Sequence, residues 1–198
     1  MNHQPPVLDA SYWNDRYAGN ETGWDMKQVS PPLKAYADQL TDKALRILIP
    51  GCGNSYEAEY LSQQGFSNIT LIDIAPLLVT QLRERLKDHA GINIILGDFF
   101  EHAGAYDLVL EQTFFCALDP SLREAYAKKM HALLTANGRL AGVLFNKQFE
   151  DAGPPFGGSM QEYESLFSPS FHLHTLSGCY NSHPKRAGAE AFIIAIKQ

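Results

Sequence analysis

Three cysteines, Cys52, Cys116 and Cys179, are too few and too scattered for a disulfide framework or a paired metal-ligand motif. Reduced thiols are therefore expected, as in a cytoplasmic protein. The seven histidines also lack paired or His-x-Glu spacing, so no metal is expected. No apolar run reaches the length of a membrane span, and Met1 to Ala10 does not place a charged stretch before an apolar one as a secretion signal does. Neither secretion nor a membrane is indicated. Basic residues are outnumbered, 16 Lys and Arg against 22 Asp and Glu, and nowhere form a run. A net charge of −6 offers a phosphate backbone no long-range attraction, so no nucleic acid is expected as a partner. Internal repeats and low-complexity segments are absent too.

What is present is an ordinary globular composition, 45% hydrophobic and 11% aromatic, with enough apolar mass in 198 residues for one core. We expect a single domain, with residues 1–42 as a segment and helix covering a ligand and residues 43–198 as the core. Short apolar runs alternate with amphipathic stretches. Ser30 and Pro31 open a helix to about Leu40. Leu45 to Ile49 is a continuous aliphatic strand, as in a parallel sheet buried on both faces. Ser55 to Gln64 reads as helix closed by Gly65, and Ile69 to Ile72 as a strand ending at Asp73. Pro76 opens a helix whose Leu78, Leu82 and Leu86 form one stripe. Ile92 to Leu96 and Tyr106 to Leu110 read as strands, Pro120 to Leu134 as a helix with Leu122, Tyr126, Met130 and Leu134 in register, and Leu140 to Phe145 as a fifth strand. Ser159 with Glu162 fits a capping box. Phe171 to Leu176 and Ala191 to Ile196, with no helical stretch between them, should pair antiparallel. This order describes an α/β, doubly wound, mostly parallel seven-stranded sheet with a C-terminal antiparallel hairpin and a reversed strand at one end, a Rossmann-like pattern that suits class I methyltransferases. Such a fold places a ligand at the carboxyl ends of the strands and does not by itself name the ligand.

The turn Gly51-Cys52-Gly53 follows the first strand, where small residues let backbone amides approach a ligand, although a tight turn alone would explain it. The dinucleotide fingerprint needs a third glycine at the position of Tyr56, which disfavours a nicotinamide or flavin cofactor. Asp73 ends the second strand, where a carboxylate accepts both hydroxyls of a ribose or caps the following helix. Asp98 ends the third strand beside Phe99, a pair that suits an adenine amino group and its ring or an ordinary turn. Trp13, Tyr17 and Trp24 precede the first strand and include both tryptophans of the chain. They either pin the segment to the domain or form a lid over a cation such as a sulfonium, which an aromatic face within about 6 Å stabilises by roughly 0.5 to 2 kcal/mol.

Six segments, WNDRYAGNETGWD (Trp13 to Asp25), ILIPGCG (Ile47 to Gly53), LIDIA (Leu71 to Ala75), GDFF (Gly97 to Phe100), YDLVLEQTFFCALDP (Tyr106 to Pro120) and AGPPF (Ala152 to Phe156), make the chain resemble the thiopurine S-methyltransferase family, which includes plant thiol and halide methyltransferases. The resemblance implies S-adenosylmethionine as cofactor. Trp13, Tyr17 and Trp24 would close over it, Gly51 and Gly53 approach its methionine part, Asp73 hold the ribose, and Asp98 and Phe99 surround the adenine. Glu111 and Gln112, read as following strand four, match positions near the methyl, and Arg123 matches an arginine near the substrate in the thiopurine enzymes. Gln112 stands where plant members tend to have tyrosine and the thiopurine enzymes arginine, so the acceptor pocket is expected to suit neither substrate set. The family makes a monomer the default.

These residues together suggest direct displacement of a methyl group by a small-molecule soft nucleophile (thiol, thiopurine, selenol or halide), driven by alignment and exclusion of water. If a base is needed, Glu111 is the candidate, with Arg123 beside the acceptor. Cys116, among Phe114, Phe115 and Leu118, reads as a buried inert thiol rather than a nucleophile. The rivals are a nicotinamide oxidoreductase, disfavoured by Tyr56, and a cofactor-binding module without acceptor chemistry.

Overall fold

A computed structural model describes residues 6–150 and 153–198, so Met1 to Pro5 of the N-terminal reading and Ala152 of the AGPPF segment lie outside it. Seven strands, β1 (Ile47–Pro50), β2 (Ile69–Asp73), β3 (Ile92–Leu96), β4 (Tyr106–Gln112), β5 (Leu134–Phe145), β6 (Phe171–Gly178) and β7 (Glu190–Lys197), form one sheet in the order β3-β2-β1-β4-β5-β7-β6. The strands β1 to β5 pair in parallel, while β7 is antiparallel to both β5 and β6. The closing pair forms as expected, but the reversed strand sits inside the sheet: β7 adds to β5, and β6 becomes the edge.

Alternation along the strands divides the core. Ile47, Ile49, Leu108 and Leu110 face one layer, where they meet Leu33 of α2 (Pro31–Ala37), Leu61 of α3 (Tyr56–Gln63) and Leu78 of α4 (Pro76–Arg85). Leu48 and Val109 face the other, against Tyr126 and Met130 of α5 (Arg123–Leu133) and Phe167 of α6 (Met160–Phe167). The continuous apolar runs thus reflect burial on both faces, each such side chain contributing about 1.5 to 3 kcal/mol.

Several boundaries move for local reasons. A helix, α1 (Ala10–Ala18), replaces the unassigned aromatic segment; Asp9 caps it by accepting the Tyr12 N–H at 2.9 Å. Ser30 does not cap α2 with its hydroxyl, and that helix ends at Ala37. Pro120–Leu122 is a 3-10 turn capped by Asp119, so α5 starts at Arg123 and Leu122 leaves the buried stripe, 38% exposed. β5 begins at Leu134, and a register shift between Tyr106 and Leu108 accommodates its irregular start. Ser159 does cap α6, its hydroxyl accepting the Glu162 N–H at 3.3 Å. No described helix is long and apolar enough to cross a membrane.

Candidate active site

Parallel strands that end together leave their terminal turns around one depression. A cavity of about 660 Å³ lies there, walled by the turns after β1 to β5, by the N-terminal segment and by the loop between β6 and β7. Gly51 and Gly53 both hold φ +52, which L side chains rarely adopt, and a Cβ on Gly51 would overlap the Phe114 ring. Only glycine lets the β1 turn and the β4 turn close against each other at that point.

Asp73, 8% exposed, lines the cavity at the end of β2. Its carboxylate accepts the Gly53 N–H at 3.1 Å and the Ala75 N–H at 3.0 Å, so it ties the glycine turn to the start of α4 while facing the cavity. Burial raises its pKa and the amide donors counter that shift. Asp98 accepts the Phe100 N–H at 2.8 Å in a tight turn and also lines the cavity. Phe99 is buried, its ring edge-on to Phe114 at 5.1 Å.

The N-terminal segment forms the opposite wall. Trp13 and Tyr17, one helical turn apart on α1, meet Trp24 edge-to-face at 5.6 and 5.8 Å. Three anchors hold the segment. The Trp24 carbonyl accepts from Arg186 Nη2 at 2.7 Å, across 162 residues of chain. Asp25 accepts from Asn54 Nδ2 at 2.7 Å and from the Tyr56 hydroxyl at 3.3 Å. The Ser30 N–H donates to buried Glu57 at 2.9 Å. Tyr56, which replaces the third glycine of a dinucleotide turn, therefore fastens this segment to the β1 turn. Arg186 is itself buried, 3.3 Å from the carboxylate of buried Glu190.

Trp13, Tyr17, Trp24, Gly51, Gly53, Asp73, Asp98, Phe99 and Gln112 all line this cavity; Glu111 and Arg123 do not. Both Glu111 and Gln112 belong to β4 rather than following it. Glu111 is 0% exposed: Oε1 accepts the Phe114 and Phe115 N–H groups at 2.8 and 2.9 Å, and Oε2 accepts the Tyr126 hydroxyl at 2.5 Å. Burial pushes its pKa up to about 7 despite those donors. Both of its oxygens are thus engaged by neighbouring donors away from the lining of this cavity. Arg123 is 8% exposed, pairs with Glu162, donates to the Gly157 carbonyl at 2.6 Å and lies 5.0 Å from the Phe115 ring. It is buried rather than a solvated helix charge, and its guanidinium contacts the loop before α6 and that helix's first turn instead of lining this cavity. Cys116 is buried in the cavity wall, and burial pushes its thiol up to about 12, which disfavours the thiolate that a nucleophile needs.

Asp25, Tyr56 and Arg186 escaped the sequence reading of the site. The pair Trp24-Asp25 lay inside a recognised segment, but nothing local marks Arg186 as a partner of Trp24. Two buried oxygens on lining residues, Gln112 Oε1 and Ser55 Oγ, find no hydrogen-bond partner within the described residues. Such groups take their hydrogen bonds from water or from a bound polar ligand. Among the described residues, no group of three His, Cys, Asp or Glu converges to hold a metal ion.

The family model for thiopurine S-methyltransferase matches residues 8–193. The chain belongs to this family. A thiopurine S-methyltransferase of Xanthomonas campestris pv. campestris is 31% identical over 190 residues, covering 85% of this chain and 86% of that protein. A probable thiol methyltransferase 2 of Arabidopsis thaliana is 28% identical over 162 residues, 79% of this chain and 71% of that protein. In fold, the chain resembles a Burkholderia thailandensis 1,6-didemethyltoxoflavin-N1-methyltransferase crystallised with 1,6-didemethyltoxoflavin and S-adenosylhomocysteine, with a TM-score of 0.77 and 17% identity over 98% of this chain and 93% of that one. As a member of the thiopurine S-methyltransferase family, the protein is an S-adenosylmethionine-dependent methyltransferase with a class I fold. The residues present suit that cofactor: a cavity-facing carboxylate at the end of β2, glycines at φ +52 at the end of β1, an aromatic wall, and two orphaned oxygens.

Proposed function

We propose that the protein transfers a methyl group to a small thiol or comparably soft nucleophile bound in the half of the cavity beyond Gln112. The observation that carries this reading is the division of one cavity. Its β1–β3 side offers Gly51, Asp73 and Asp98, polar groups suited to an adenosyl ligand, while its β5–β7 side is walled by Phe145, Phe149 and prolines 154 and 155. An aromatic and proline wall favours a flat, polarisable acceptor over a sugar or a peptide. The names of the thiol and thiopurine relatives support the same class.

In this reading Asp73 accepts from the ribose hydroxyls, Asp98 and Phe99 flank the adenine, Gly51 and Gly53 lie along the methionine part, and Trp13, Tyr17 and Trp24 cover the site. Gln112 offers its orphaned oxygen to a donor on cofactor or acceptor. The bound cofactor supplies an electrophilic methyl on a sulfonium that needs no further activation. The chain's own work is then to align the acceptor and exclude water from its sulfur. Glu111 acts as a positioning residue for the turn that carries Phe114, and Arg123 for the loop over the acceptor half. Scattered buried thiols and a net charge of −6 support a cytoplasmic monomer with no nucleic-acid partner.

A panel of aromatic thiols, a selenol, iodide and thiocyanate, incubated with protein and S-adenosylmethionine and read by mass spectrometry, tests the acceptor class. S-methylated aromatic thiols are expected. Binding of S-adenosylhomocysteine without turnover of any panel member would favour the module lacking acceptor chemistry.

A further inference from the structure

Charge is sorted across the cavity. All five carboxylates among its described lining residues, Glu21, Asp25, Glu57, Asp73 and Asp98, come from the N-terminal segment, the start of α3 and the ends of β2 and β3; the one lining cation on that side, Arg16, is paired with Glu21 at 2.6 Å. The half formed by β4, β5 and the β6–β7 loop contributes Lys147, Lys185 and Arg186, and no carboxylate among the described residues. Arg186 is balanced by Glu190. Lys147 and Lys185 form no ion pair with any described residue. A chain with six more acids than bases thus lines this side of its cavity with two lysines that have no ion-pair partner among the described residues. Lys147 Nζ stands 4.6 Å from the Phe149 ring, and that ring meets Phe145 edge-on at 5.0 Å, so the cation borders the aromatic wall.

We propose that the β5–β7 half of the cavity is built for a flat soft nucleophile that also carries a carboxylate or similar anionic group, its body against Phe145 and Phe149 and its anion at Lys147 and Lys185. This rests on the acceptor reading above and narrows it. Both lysines are exposed at the rim, so the anion keeps part of its hydration and the pairing avoids the desolvation cost of a buried ion pair. Lysines unopposed at a cavity mouth also raise the local concentration of anions and steer them inward, an effect that salt screens. The opposite half, rich in carboxylates, repels the same anion and so fixes which end of the acceptor enters first.

The test compares 4-mercaptobenzoate with 4-methylbenzenethiol at a pH where both sulfurs are thiolates, with the wild type and with the double variant Lys147→Met/Lys185→Met. In parallel, calorimetry measures the corresponding methyl thioethers binding to the protein with S-adenosylhomocysteine present. Each rim lysine is expected to contribute roughly two- to fivefold. The wild type should therefore favour the carboxylate compound by about tenfold in kcat/KM and in affinity, and the preference should shrink with added salt and in the double variant. Equal handling of the two compounds, or a preference that survives loss of both lysines, overturns the proposal. So does a double variant whose main defect is weaker S-adenosylhomocysteine binding, since the lysines would then serve the cofactor's own carboxylate. Thioether binding without turnover of either thiol would count against the acceptor chemistry alone, and the affinity ratio would still decide the anion site.

Discussion

The Phe114 ring occupies the space that a Cβ on Gly51 would need. The turns after β1 and β4 are therefore packed to the limit at the middle of the sheet, where the two halves of the cavity meet. Gly51→Ala has to displace that ring and to hold a side chain at φ +52, penalties of about 1 kcal/mol for the backbone and about 1 to 3 kcal/mol for the overlap. The variant should unfold at lower temperature and bind S-adenosylhomocysteine at least tenfold more weakly. A Gly51→Ala protein with unchanged calorimetric affinity would show that the glycine serves only the turn.

The position of Phe114 depends in turn on Glu111, whose carboxylate holds the Phe114 and Phe115 amides. A folded-state pKa raised to about 7 means that the native protein keeps a proton where the unfolded chain has lost it. The stabilisation from this group is full below the ordinary carboxylate range and is lost as pH rises through about 7. The shift corresponds to a difference on the order of 3 kcal/mol. Glu111→Gln removes the titration and keeps the shape. In urea unfolding, the stability of wild type relative to Glu111→Gln should fall between pH 5 and pH 8; a difference independent of pH would contradict the shift.

Arg186 joins the main-chain carbonyl of Trp24 to Glu190. Replacing it by methionine leaves Glu190 buried without its partner, a change of the kind that costs about 3 to 5 kcal/mol. Arg186→Met/Glu190→Met, which removes both charges, isolates the effect of losing the anchor on the N-terminal segment. That double variant should fold, yet show a smaller change in tryptophan fluorescence on binding S-adenosylhomocysteine, because both tryptophans belong to the segment that Arg186 anchors. An unchanged fluorescence response would show that the anchor is dispensable.

Much of this architecture is legible in the sequence because local rules and tertiary demand agree. Ile92–Leu96 forms the strand its run of aliphatic residues suggests, Gly65 ends its helix at φ +89, and Asp73 closes β2 as read. The helix at Ala10–Ala18 was hidden because its aromatic residues also fit a lid, although Asp9 and the four-residue spacing of Trp13 and Tyr17 carried its signal. The inward packing of Glu111 and Arg123 was not legible for a different reason. A charged residue near a site motif looks the same in sequence whether it faces the ligand or turns inward to hold backbone, and only packing separates the two. Arg186 needed a contact across 162 residues of chain, which no local pattern reports.

If the cavity binds the adenosyl cofactor through Asp73, as proposed, calorimetric titration shows it most directly. Wild type, Asp73→Ala and Asp73→Asn are titrated with S-adenosylmethionine, S-adenosylhomocysteine and NADH, with thermal unfolding run alongside, since Asp73 also accepts the Gly53 and Ala75 amides. A hydrogen bond to a charged group contributes about 1.5 to 3 kcal/mol. Both adenosyl ligands should bind the wild type and NADH should not, and Asp73→Ala should lose roughly 50-fold or more in affinity, with the folded Asp73→Asn between the two. Full affinity in a folded Asp73→Ala, or binding of NADH alone, would contradict the account.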